Sequence, residues 1–141
     1  MTRRLTRPDE RSDARERALY LLYEADSKGI SPSDALALQM IEPDELTTNL
    51  VLGVERNRDR LDAAIARRAV GWSLDRMPVI DLSVLRIATY ELLFEADVPR
   101  AVVLDQAIEL AKGFGSEQSG AFVNGVLDGL IHTREFPGKL H

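Results

Sequence analysis

The chain contains no cysteine, which excludes a disulfide framework, a thiolate nucleophile and a cysteine metal site. Histidine is almost as scarce, with only His132 and His141, both near the C-terminal end. That placement argues against a Ser-His-Asp triad and against a histidine metal cluster. A Gly-x-x-x-x-Gly-Lys phosphate loop is also missing. No stretch approaches the 18 or more apolar residues of a membrane span. The opening MTRRLTRPDE lacks the apolar core of a signal peptide. Together these absences predict a cytoplasmic protein with no membrane association and no metal. They favour a binding module over an enzyme.

What is present fits one domain. The chain has 141 residues, 45% of them hydrophobic, enough to bury a core. The net charge of −5 is unevenly spread. Residues 1–17 carry six arginines (Arg3, Arg4, Arg7, Arg11, Arg15 and Arg17) against four acidic residues. That leaves the arm at +2 and the remainder at −7. Arginine suits bidentate phosphate contacts and stacking on bases. A basic arm on an acidic body reads either as a nucleic-acid contact or as a solubilising tail.

The apolar pattern is helical almost throughout, with no strand alternation. Asp13 and Glu16 have capping-box spacing, so a first helix is predicted from there to Gly29, with Ala14, Ala18, Leu21, Leu22 and Ala25 inward. Ser31-Pro32 starts a short helix carrying Ala35, Leu36, Leu38 and Met40. Pro43 opens a third, with Leu46, Leu50 and Val54 on one side. Asn57 to Asp59 can break it, and Leu61, Ile65 and Ala69 continue to Gly71. Ser73 to Arg76 forms a turn, and Asp81 is a candidate cap for a helix with Leu82, Leu85, Ala88 and Leu92 on one face.

The stretch from Ala107 to Leu130 is the most informative. Leu104, Ala107, Ile108 and Ala111 share a helix face that ends at Lys112, Gly113 and Gly115. Ser116 or Ser119 can cap the next helix, which carries Phe122, Val123, Val126, Leu127 and Leu130. Gly125 and Gly129 suggest a close approach by a helix or a ligand. Asn124 is read as anchoring the preceding turn by a side-chain hydrogen bond. The pairs Glu91/Glu95 and Asp105/Glu109 read as solvated surface, because no Glu-x-x-His accompanies them. The expected organisation is an all-α single domain. It comprises a flexible basic arm (1–12), an N-terminal helical subdomain (13–71), a C-terminal one (72–132) and a loose tail (133–141).

The tract DLSVLRIATYELLFEADVP, followed by DQAIELAKGFGSEQSGAFVNGVLD, resembles the NusB family of bacterial antitermination factors. Ala14, Arg15 and Arg17 to Asp26 resemble its first helix. The likeness is dense between residues 72 and 130 and weak between 30 and 70. It implies about seven helices in two packed subdomains. It also implies the partner NusE (a small-ribosomal-subunit protein), boxA RNA and the antitermination complex on RNA polymerase, chiefly at ribosomal RNA operons. No cofactor is implied. Two other readings stay open: an RNA-positioning domain of an RNA cytosine methyltransferase, and a self-associating structural protein whose dimer covers the RNA surface.

By the same resemblance, Arg11 and Arg15 belong to an arginine-rich motif, thinned here by Ser12 and Asp13, with Arg3, Arg4 and Arg7 as supplementary phosphate contacts. Phe122 is implied to stack on an unpaired base and Gln118 to reach a base edge. Tyr23, Asp75 and Asp81 are implied at the NusE surface. Arg86 and Glu91 are read as members of intramolecular ion pairs.

Overall fold

The computed structural model describes residues 8–132, which form seven α-helices and no strand. Helix α1 spans Pro8–Lys28. It begins five residues before Asp13, with proline at the first helical position, where its missing N–H costs nothing. Asp13 and Glu16 therefore lie inside the helix, and residues 8–12 belong to it and not to an arm. Ala14, Ala18, Leu21, Leu22 and Ala25 are buried as the spacing predicts. Gly29, at φ +67°, ends the helix in a conformation that side chains with a Cβ rarely adopt.

Helix α2 (Pro32–Ala37) is capped by Ser31, whose hydroxyl accepts from the Asp34 N–H at 3.0 Å. It stops before Leu38 and Met40, so the helix does not carry those two, which are 59% and 100% exposed. Helix α3 (Glu45–Arg56) is capped by Asp44 through the Thr47 N–H at 2.7 Å. Asn57 separates it from α4 (Arg58–Arg68). A 3-10 turn (Leu74–Arg76) leads to α5 (Val79–Phe94), followed by α6 (Arg100–Phe114) and α7 (Ser119–Ile131).

Helix α5 is the hub. It packs against α1, α3, α4, α6 and α7, and it buries Val84, Leu85, Ile87, Ala88 and Leu92. A helix apolar on most sides must be central. One contiguous core draws on both halves of the chain, so Gly71 marks a turn within it. The tightest approach is at Gly53 of α3, where an added Cβ would collide with the Tyr90 ring of α5. Gly125 faces open space, so no helix approaches it, whereas Gly129 lies against the Arg68 side chain.

Candidate nucleic-acid interface

The turn between α6 and α7 is built from inside outward. Helix α6 runs to Phe114, past Lys112 and Gly113, and Gly115 is its C-cap. Neither serine caps α7, whose N-cap position is Gln118. Ser119 instead ties the turn to the core. Its hydroxyl accepts from the Ser116 N–H at 2.9 Å and donates to Asp81 Oδ1 at 2.6 Å. Asp81 sits in the first turn of α5 and is 4% exposed. It is therefore neither the cap of α5 nor a residue available to a protein partner, because its carboxylate is spent on Ser119. An added Cβ at Gly115 would strike the Ser119 hydroxyl, so the turn requires glycine there. The Lys112 stem lies over Gly120, bringing that cation beside the start of α7.

Aromatic pairs flank this pinned turn. On one side Phe114 meets Tyr20 of α1 edge-on, with ring centroids 5.4 Å apart and planes at 80°. On the other, half-buried Phe122 meets Trp72 at 5.6 Å and 60°. Tyr20 and Trp72 are 53% and 48% exposed. Gln118 is exposed between the two pairs. Edge-to-face pairing holds the rings in place, with Phe122 packed against the core and the other three rings partly in solvent. Three of these rings, Tyr20, Phe114 and Trp72, went unnoticed in the sequence reading. The signal for Tyr20 was its phase, since it falls off the Ala14–Ala18–Leu21 stripe.

The cationic part is arranged differently from expectation. Arg15 is 2% exposed, and its guanidinium grips Glu91 with Nε at 2.8 Å and Nη2 at 2.9 Å. Its remaining nitrogen is 3.4 Å from Gln106, which also accepts from Ser12. Arg15 is thus a core ion-pair residue and not an open phosphate contact. Glu91 is correspondingly buried and not solvated surface. Arg86 pairs with Asp62 at 2.7 and 2.9 Å, so Arg86 and Glu91 both take intramolecular ion-pair partners. Arg11, one turn before Arg15, is partly exposed and lies 3.5 Å from Asp97. Arg3, Arg4 and Arg7 lie outside the described residues. Tyr23 and Asp75 are exposed on separate elements, and no hydrogen bond or ring contact joins them. Asn124 is exposed and makes no anchoring hydrogen bond. Among the described residues no cluster of His, Asp or Glu is arranged to hold a metal, and no helix is long and apolar enough to cross a membrane.

Comparison with known proteins places this architecture. A family model described as NusB family matches residues 12–132. The transcription antitermination protein NusB of Streptomyces avermitilis is 44% identical over 126 residues, covering 83% of this chain and 88% of that one. The solved structure of T. maritima NusB superposes with a TM-score of 0.77 at 36% identity, covering 85% of this chain and 89% of its own. A structure of the antitermination factors NusB and NusE in complex with double-stranded RNA superposes with a TM-score of 0.72 at 27% identity, covering 85% and 94%. The chain belongs to the NusB family.

Proposed function

We propose that this protein is a cytoplasmic transcription antitermination factor. It binds single-stranded boxA RNA together with NusE and joins the antitermination complex on RNA polymerase, chiefly at ribosomal RNA operons. The observation that carries the reading is the α6–α7 turn, pinned by Ser119 to Asp81 and flanked by exposed aromatic pairs. Splayed, unpaired bases are what such rings recognise. Phe122 and Trp72 provide one stacking surface, Tyr20 and Phe114 the other, and the Gln118 amide reaches a base edge. Lys112 and Arg11 supply phosphate contacts, joined by Arg3, Arg4 and Arg7. Arg15 contributes indirectly, by fixing α1 against α5. The partner surface includes Tyr23 and Asp75.

Support also comes from the names and assemblies of the relatives, which include an antitermination protein and a NusB–NusE–RNA complex. Fluorescence anisotropy tests the reading with a boxA-like strand and a scrambled strand, each with and without NusE. Tight binding that depends on both sequence and NusE is the expected result. Equal, weak binding to both strands with no effect of NusE would overturn it.

A further inference from the structure

The exposed face of α4 carries a second concentration of arginine that the RNA reading leaves unused. Residues 56–68 hold five arginines against two aspartates, a net +3, denser than the N-terminal arm. Arg60, Ala63, Arg67 and Val70 follow one another at three- and four-residue spacing, and all four are exposed. The two alanines at 63 and 66 keep the helix surface low between the arginines. Asp62 lies between Arg86 at 2.7 Å and Arg58 at 3.7 Å, which leaves Arg60 and Arg67 outside that pairing, and Arg68 packs its stem against Gly129 of α7.

Each end of this face meets an aromatic platform. At the N-terminal end the Arg60 guanidinium lies over the Phe94 ring, 5.3 Å from its centroid. Phe94 is 40% exposed and stacks on Tyr90 at 5.3 Å, with planes 29° apart. At the other end the chain turns, with the Trp72 N–H donating to the Ala69 carbonyl at 3.0 Å. Trp72 then meets Phe122, the ring at the edge of the α6–α7 surface. From Arg60 to Arg67 the helix axis advances about 10 Å. A guanidinium stacked on a ring still directs its N–H donors outward, toward a phosphate.

We propose that this face of α4 is a second contact for single-stranded RNA. It continues the strand past Phe122 and Trp72, along Arg67, to the Arg60–Phe94 platform. The inference rests on the RNA-binding function proposed above and extends it to nucleotides flanking the recognised element. Contact here is with phosphates and base faces, so it is independent of sequence. An acidic protein surface is the competing occupant. Continuity with the Trp72–Phe122 pair and the all-arginine composition favour RNA.

The test uses the whole protein, with and without NusE. Anisotropy is measured on a boxA-like strand alone and on the same element flanked on both sides by about eight unstructured nucleotides, within the span that single-strand sites cover. Wild type is compared with an Arg60→Gln/Arg67→Gln variant, whose thermal melt confirms folding. Wild type is expected to bind the longer strand about tenfold tighter. The variant should lose that advantage, keep its affinity for the short strand, and show a salt slope on the long strand shallower by about 1.4. No length advantage in wild type, or an advantage the variant retains, overturns the proposal. Loss of NusE capture with RNA binding intact also overturns it and assigns the face to a protein. Failure of wild type on the short strand instead brings down the RNA-binding reading itself, and this inference with it.

Discussion

Along the inner face of α1, Arg15 and Glu91 are sealed from solvent, each side chain 3% exposed; around the α6–α7 turn, Tyr20, Trp72 and Phe114 stand 36–53% in solvent. Charge occupies the interior and apolar rings the rim, the reverse of the usual partition. Position on the helices explains both. Arg15 lies beside Ala14 and Ala18 on the stripe that faces α5, so its guanidinium has no route to water and takes a carboxylate from the hub helix. Tyr20 lies across α1 from that stripe, and Phe114 is the last residue of its helix. The buried pair contributes little net stability but makes either partner indispensable to the other. The exposed rings forgo burial, and exposed apolar surface of this kind is what a binding site uses.

The largest expected effect breaks the interior half of this contrast. Glu91→Ala leaves the Arg15 charge buried and unpaired and should cost about 3–5 kcal/mol in urea denaturation. Replacing both partners, Arg15→Met with Glu91→Leu, should recover most of that loss. A single variant costing under about 1 kcal/mol would mean that water reaches the pair and the contrast is false. Next comes Ser119→Ala, which strips Asp81 of its 2.6 Å donor and the Ser116 N–H of its acceptor. It should cost about 1–3 kcal/mol. It should also weaken RNA binding, because the same hydroxyl fixes the turn between the two aromatic pairs. Unchanged RNA affinity would separate the turn's anchoring from its function.

The two regions were unequally legible in the sequence. The α1 stripe, the Ser31 cap, the break at Asn57 and the apolar face of α7 all follow from local periodicity and capping chemistry, and the structure contains each. Arg15 and Asp81 were misread for one shared reason. Their partners, Glu91 and Ser119, lie 76 and 38 residues away, and spacing rules carry no information about such pairs. Asp81 has the composition of a cap, yet its carboxylate turns inward to another helix. Gly125 illustrates the converse, since a small residue on a stripe signals a packed helix only if one lies opposite. Tyr20 needed no partner to be found. Its phase alone, off the Ala14–Ala18–Leu21 stripe, exposes it.

A smaller effect sharpens the rim. Phe122→Ala should weaken RNA binding by about 1–3 kcal/mol, the worth of one base stack. Its folding cost should fall below the about 3–5 kcal/mol of a fully buried phenylalanine, since the ring is only half buried. Trp72→Ala should act in the same direction on RNA. A Phe122 variant that loses stability while binding RNA normally would return that ring to the core.

The smallest effect concerns Glu95, the C-cap of α5, four residues beyond Glu91. Burial raises its pKa above the usual carboxylate value of 4.5, and the charges of Asp97 and Glu91 raise it further. Arg11 and the Tyr90 hydroxyl act the other way but do not cancel the rise. Unlike Glu91, Glu95 has no arginine closed onto it, and Arg11 leans toward Asp97 instead. The folded state therefore holds the proton more tightly than the unfolded chain does. Stability falls as pH climbs from about 4.5 through the raised folded value, then levels off. Glu95→Gln keeps an acceptor for Tyr90 and removes the charge, so a small gain in stability is expected at pH 7 and none at pH 4. Equal stability curves for variant and wild type would show that Glu95 is as well compensated as Glu91. A loss at pH 7 would show that its charge holds Arg11 in place, extending the interior ion-pair region out to the surface.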